Sequence, residues 1–251
     1  ESHSRSNIEL AALQVKLLHK LKETGKKIVL VLFAGRPLAL TEVAPLADAV
    51  LFCWHPGIEG GNAVANLLYG AVNPNGKITM SFPRSVGQCP VYYNYFSTGR
   101  PKNSDTAENY LYTTSYLDEL NSPLYPFGYG LSYTKFELQD MRLSASTMRR
   151  CEKITVSATL KNTGERAGKE VVQLYICDKF GSCARPVKEL KGFCKVALAA
   201  GEQTQVRFEI SEETLAYFTA SGDYKAEAGD FEVMLGTNGR NVIKSDLRLD
   251  E

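Results

Sequence analysis

The sequence predicts an α/β layer followed by an all-β sandwich. Three observations carry this expectation. Helical and strand patterns alternate over residues 1–86, an irregular stretch rich in aromatics fills 87–135, and short alternating runs recur between turn signals over 136–251. Alternating helix and strand goes with a mostly parallel sheet. Regularly spaced short strands over ~110 residues go with a sandwich the size of an immunoglobulin or fibronectin type III module.

From Asn7, apolar residues at Ile8, Leu10, Leu13, Val15, Leu17, Leu18 and Leu21 recur at roughly helical spacing, and Gly25 is a stop signal. The run Lys27 to Phe33 is continuous and β-branched, as a strand buried on both faces of a parallel sheet would be, and Gly35-Arg36-Pro37 ends it. Ala49 to Trp54 predicts a second buried strand. The turn His55 to Gly61 then leads to a helix over 62–69, with Asn62 as N-cap and Gly70 as stop. The Asn73-Pro74-Asn75-Gly76 turn introduces a third strand, Lys77 to Phe82. The following connection exceeds the ~15 residues beyond which a structureless link is usually functional or linking. Strand runs then fall at Lys153 to Lys161, Glu170 to Cys177, Phe193 to Leu198, Gln205 to Ile210, Gly229 to Gly236 and Ser245 to Leu249. The breaks at Asn162-Thr163-Gly164, Ala200-Gly201 and Asn238-Gly239 have hairpin-like spacing.

Composition narrows the function. With 251 residues, 44% hydrophobic and 23% charged, the chain is neither disordered, collagenous nor coiled coil. Lys plus Arg number 29 against 28 for Asp plus Glu, so no net field draws nucleic acid or anionic lipid. The longest apolar stretches, Ile28 to Ala34 and Ala47 to Trp54, fall far short of the ~20 residues of a membrane helix. The first residue is Glu1 and no leader pattern precedes it, so the expectation is a chain cut from a longer one. Six cysteines without a C-x-x-C pair argue against zinc fingers and thioredoxin-like sites. Cys177 and Cys183 flank a short loop and would form a clip in an exported protein; free buried thiols fit equally.

No complete active site follows from the residues alone. Pro56-Gly57-Ile58-Glu59-Gly60-Gly61 fits neither the dinucleotide glycine pattern nor a P-loop, and reads as a tight βα turn. His3, His19 and His55 are too dispersed for a metal site. His55, after a strand, either lines a cleft at the carboxyl ends of the sheet or is a turn histidine. No G-x-S-x-G elbow occurs, and the cysteines lack a neighbouring histidine in sequence. The aromatics Tyr92, Tyr93, Tyr95, Phe96, Tyr110, Tyr112 and Tyr116 either stack on sugars or anchor the connection they lie in.

Trp54-His55-Pro56-Gly57-Ile58-Glu59-Gly60-Gly61-Asn62, then Gly70 to Pro83, then Leu124-Tyr125-Pro126-Phe127-Gly128-Tyr129-Gly130-Leu131-Ser132-Tyr133-Thr134 together resemble glycoside hydrolase family 3. The likeness continues through Arg84 to Gln88, Asn94, Thr98 to Pro101, Asn162 to Gly164, Val172 to Tyr175 and Arg185 to Phe193. It covers nearly the whole chain and is nearest to bacterial periplasmic β-glucosidases.

The resemblance implies a parent of three parts: an N-terminal barrel carrying an aspartate nucleophile, an α/β sandwich domain and a C-terminal fibronectin III-like domain. This chain resembles part of the second, over 1–86, a connecting segment over 87–135, and the third over 136–251. The implied activity is retaining, exo-acting hydrolysis of β-linked sugars from the non-reducing end, by two carboxyl groups about 5–5.5 Å apart and without metal or organic cofactor. Implied partners are a β-linked oligosaccharide and the barrel of the same polypeptide; implied location is periplasmic or secreted. Glu1-Ser2-His3-Ser4-Arg5-Ser6-Asn7-Ile8 resembles the loop bearing the acid/base glutamate, which makes Glu1 the candidate. Ala11 replaces a proline common in the family, and His55 stands where relatives often carry an apolar or aromatic residue. Without the barrel nucleophile, the isolated chain is expected to be inactive. A non-catalytic carbohydrate-binding or interaction module is the alternative.

Overall fold

A computed structural model of the chain describes residues 4–101 and 112–251. Helix α1 spans Ala12–Glu23, so the helical pattern that begins at Ile8 starts four residues early. Asn7 explains the delay: its Oδ1 accepts the Glu9 amide at 2.8 Å, a local turn that competes with helix. The Gln14 side chain then accepts the Ala11 amide at 3.2 Å, satisfying a donor at the helix start. Leu18 is the buried residue of α1; it packs with Leu32, Leu40, Val43 and Phe82 in a small core.

Strands β1 (Val29–Leu32) and β2 (Ala49–Phe52) pair in parallel, Val29 opposite Ala49 and Leu32 opposite Phe52. They are shorter than the sequence suggests and not buried on both faces, since Val29 is 51% and Phe33 61% exposed. Among the described residues this sheet has two strands, so each keeps one bare edge. Helix α2 spans Gly60–Leu68 and is capped at Glu59 rather than Asn62, whose Nδ2 donates back to Glu59 at 2.6 Å. The helix ends as expected, with Gly70 at φ +73°, a left-handed position that glycine takes without strain. The third strand does not form a ladder. Phe82 makes an isolated bridge with Tyr125, and the Ile78 amide donates to Tyr129 at 2.9 Å. The partner segment is the Pro-interrupted stretch 124–130, and proline removes the donors a longer ladder needs.

The second half is a two-sheet sandwich. One sheet orders β4-β12-β11-β6-β7 and the other β3-β5-β8, where β3 is Phe136–Leu143, β4 Thr147–Met148, β5 Lys153–Asn162, β6 Gly168–Asp178, β7 Glu189–Leu198, β8 Gln203–Ser211, β11 Gly229–Gly236 and β12 Val242–Leu249. Helix α3 (Glu212–Leu215) and the small hairpin β9 (Tyr217–Phe218) and β10 (Tyr224–Lys225) lie between β8 and β11. Alternate residues of β5 and β6, such as Val156, Ala158, Leu160, Val172, Leu174 and Ile176, fill the space between the sheets. Asn238-Gly239 joins the antiparallel pair β11 and β12, as hairpin spacing predicts. The breaks at Asn162–Gly164 and Ala200–Gly201 instead carry the chain from one sheet to the other. Turn residues fix a change of direction but not which sheet receives the next strand.

Part of the outer face of the five-stranded sheet, around Gln173 and Tyr175, is also covered. Tyr175 is fully buried beneath the stretch 124–130, whose Phe127 carbonyl accepts the Gly239 amide at 2.7 Å. Gly128, at φ +79°, lies against the Gln173 side chain, where a Cβ would collide.

Candidate active site

The carboxyl edge of β1 and β2 leads into the loops that carry His55 and Arg36, as the topology of parallel sheets favours for a ligand-binding edge. Beyond β2, Trp54 takes φ +53°, which turns its ring onto Phe52 at 4.8 Å and Phe82 at 5.9 Å and releases His55 to the surface. His55 is exposed and lies over Gly35 of the neighbouring loop, where a Cβ would sit 2.6 Å from its Nε2. It therefore packs the two loops together. The loop turns back at Gly57, φ +75°, and Gly60 presses on Pro56 so closely that a Cβ would meet its Cγ at 2.6 Å. Pro56–Gly61 is thus the tight βα turn expected from its sequence.

Beyond β1, Arg36 is exposed and Pro37 buried. The Ala39 amide donates to the Ile8 carbonyl at 3.0 Å, which lays the N-terminal segment alongside this loop. Thr41 reaches across to the Arg84 carbonyl at 2.7 Å. The Gln88 side chain, 4% exposed, accepts the Arg84 amide at 2.8 Å and donates to the carbonyls of Leu120, Asn121 and Ser122. These bonds shape a groove of about 440 Å³ with Ile8, Arg36, Met80, Tyr92, Asn94 and Phe127 in its wall.

Among the described residues the groove wall holds a guanidinium, an amide and phenol rings but no carboxylate. It can hold a polar ligand or a neighbouring polypeptide, and does not by itself provide the carboxyl pair of a retaining glycosidase. Burial pushes the nearby Cys53 thiol and Tyr125 phenol up, which keeps both neutral.

The aromatics divide by role. Tyr93 anchors: its ring stacks on Phe127 at 4.3 Å, its edge meets Tyr175 at 5.9 Å, and its hydroxyl accepts the Leu190 amide at 3.3 Å. Tyr92, Tyr95 and Phe96 are 62%, 55% and 60% exposed, and among the described residues none of the three packs on another ring. The backbone at Tyr95 and Phe96 is fastened to the sandwich through Val187 and Pro186. Tyr112 lies 5.5 Å from the Arg100 guanidinium, and Tyr116 is 41% exposed. Glu1, His3 and Tyr110 lie outside the described residues. His19 is 3.6 Å from Glu42 on the surface, and neither lines the groove. All six cysteines, Cys177 and Cys183 included, are free thiols. Among the described residues no helix is long and apolar enough to cross a membrane.

Sequence reading noted Arg36 only as part of a strand-breaking turn and Asn94 only within a resemblance. The signal was present for Arg36, which follows a parallel strand directly, where side chains face the ligand-binding edge.

The chain's first part, residues 1–133, matches the glycosyl hydrolase family 3 C-terminal domain, and residues 170–239 match the fibronectin type III-like domain. It is 49% identical over 249 residues to the periplasmic beta-glucosidase of Salmonella typhimurium, covering 99% of this chain and 32% of that protein. A putative beta-xylosidase of Formosa agariphila is 39% identical over 245 residues, covering 98% of this chain and 31% of that one. The crystal structure of a beta-glucosidase from Listeria innocua in complex with glucose superposes with a TM-score of 0.94 at 42% identity, over 99% of this chain and 34% of that one. The chain therefore spans about a third of the length of the relatives it matches.

Proposed function

Since the chain belongs to glycosyl hydrolase family 3, we propose that it is the C-terminal part of a retaining, exo-acting β-glycosidase that removes sugars from the non-reducing end of β-linked substrates. The observation that carries this is continuous similarity over 99% of the chain to a beta-glucosidase three times its length. That relative, a periplasmic beta-glucosidase, favours glucose over xylose as the sugar removed and a periplasmic or secreted site of action.

In this reading the chain is organised as part of an α/β sandwich domain over 1–86, a connection over 87–135 and a fibronectin III-like domain over 136–251. The first brings Glu1 to the glycosidic bond. Glu1 donates a proton to the departing oxygen, and as glutamate then takes one from the water that cleaves the glycosyl-enzyme. The nucleophile is an aspartate of the barrel. The hydrogen bond from Ala39 to Ile8 supports the assignment, because it anchors the segment that leads to Glu1 beside the carboxyl edge of the sheet. Retention needs no metal or organic cofactor.

The test compares the full-length protein with the 251-residue chain on an aryl β-glucoside, following the anomer released by proton NMR. The full-length protein is expected to release β-glucose first, and the isolated chain to release none. Enzyme-like turnover by the isolated chain, or initial α-glucose from the full protein, overturns the reading. The exposed faces of Tyr92 and Tyr95 support a second reading, a non-catalytic sugar-binding module. Sugar affinity that survives without hydrolysis in the full-length protein, and falls in Tyr92→Ala, would favour it.

A further inference from the structure

Away from the groove, the sandwich carries an unexplained pair of rings. Among the described residues, one ring-to-ring contact has both partners turned to water: Phe218 and Tyr224, 70% and 57% exposed, with centroids 5.1 Å apart and planes at 59°. They lie directly opposite each other in the β9–β10 hairpin and so project from the same face. Leaving large rings in water forgoes the free energy their burial would release. Their neighbour Tyr217, on the other face, is only 4% exposed.

The hairpin holds these rings stiffly. The Thr219 amide donates to the Asp223 carbonyl and the Gly222 amide to the Thr219 carbonyl, both at 2.9 Å. Behind, the Tyr217 hydroxyl donates to Glu227 and accepts the Ser182 amide at 3.0 Å, while the Arg185 guanidinium sits 3.9 Å above its ring. A ligand meeting Phe218 and Tyr224 therefore finds the backbone that carries them already ordered, which lowers the entropic cost of binding.

The rim is polar and electrically balanced. Ser221 donates to Asp223 Oδ2 at 2.9 Å and Lys225 approaches the same oxygen at 3.1 Å. Those two donors hold the Asp223 carboxyl below its ordinary value, so it remains an ionised acceptor. Opposed charges at the rim suit a neutral, hydroxyl-rich ligand better than a nucleic acid or a strongly charged peptide.

We propose that Phe218, Tyr224 and Asp223 form a binding platform for a neutral β-linked glycan, separate from the groove. β-Linked pyranoses present flat C–H faces with hydroxyls around their edges. The rings take the faces, while Asp223 and Lys225 take the hydroxyls. The choice of glycan linkage rests on the glycosidase reading.

Native affinity electrophoresis of the 251-residue chain through gels containing barley β-glucan or arabinoxylan tests the platform. Retardation is expected in at least one gel, with apparent affinity falling tenfold or more in F218A/Y224A and severalfold in D223N, whose fold the exposed site leaves intact. The proposal is overturned by free migration in both gels, by equal retardation of the double variant, or by a ring-dependent shift in size-exclusion volume showing that the rings join two copies. Aryl β-glucoside hydrolysis by full-length F218A/Y224A separates the two readings: unchanged hydrolysis with lost retardation supports the platform, while retardation in a protein without hydrolysis leaves the platform and removes the glycosidase reading.

Discussion

Lys77 and Glu170 form an ion pair at 2.7 Å with side chains only 10% and 8% exposed. Lys77 also donates to the Gly130 carbonyl at 2.7 Å, so one ammonium ties the segment after α2, the stretch 124–130 and strand β6 together. Asn73 reinforces the same seam by donating to the Ala167 carbonyl at 2.9 Å and accepting from Ser132 at 2.8 Å. A buried charge left without its partner typically costs about 3–5 kcal/mol. Lys77→Met should therefore lower stability by about that much, and Lys77→Met with Glu170→Leu by less. Urea unfolding followed through Trp54, the single tryptophan, reads both; additive losses would show that the pair is not coupled.

Asn162, fully buried at the end of β5, closes the corner between the sheets. Its Nδ2 donates to the carbonyls of Arg166 at 2.7 Å, Leu198 at 3.2 Å and Ala199 at 3.0 Å, and its Oδ1 accepts from Thr134 and the Gly164 amide. Asn162→Ala leaves several buried polar groups without partners, each worth about 1–3 kcal/mol. The expected result is a loss of roughly 3 kcal/mol or more by denaturant unfolding, and Asn162→Asp, which sets a buried carboxylate against the three carbonyl oxygens, should lose at least as much at neutral pH.

Asp48 sets the register of the parallel pair. It accepts Lys27 at 2.7 Å and the Ile28 amide at 2.9 Å, and those bonds hold its carboxyl below the ordinary 3.8. A depressed folded-state pKa contributes stability above the unfolded value and loses it as pH falls through the folded one. Asp48→Asn should thus have a lower urea midpoint than the parent at pH 7, and the gap should close as pH drops below 3.8. A gap independent of pH would assign the effect to packing.

Tyr93 and Tyr92 are adjacent but differ in kind. Tyr93→Ala removes a stacked ring and an acceptor for the Leu190 amide, and should cost about 3 kcal/mol, at the low end for a buried aromatic. Tyr92→Ala, at a position 62% exposed, should stay within ~0.5 kcal/mol. Thermal unfolding of both variants checks the contrast.

Strand periodicity after residue 136 is legible because period-two burial repeats along each strand, as in β5, where Ile154, Val156, Ala158 and Leu160 all point inward. The short parallel strands were harder to read. A continuous apolar run such as Ile28 to Phe33 signals burial on both faces, yet Val29 and Phe33 remain exposed in a sheet of two strands. Lys77 to Phe82 has strand composition, but its partner segment carries Pro123 and Pro126, so pairing stops at a bridge. The groove was least legible. Arg36 and Asn94 are far apart in sequence, and long-range contacts, among them the hydrogen bonds of Gln88 and Thr41 and the stacking of Tyr93 on Phe127, bring their loops to one wall.

The most direct test of the glycosidase account is kcat/KM of the full-length protein and its Glu1→Gln variant on aryl β-glucosides with good and poor leaving groups. Loss of an acid that protonates the leaving oxygen should lower the poor-leaving-group rate about 10²–10⁴-fold, spare the good one far more, and remove the alkaline limb of the pH profile. Equal rates for variant and parent on both substrates would contradict the account and take Glu1 out of the chemistry.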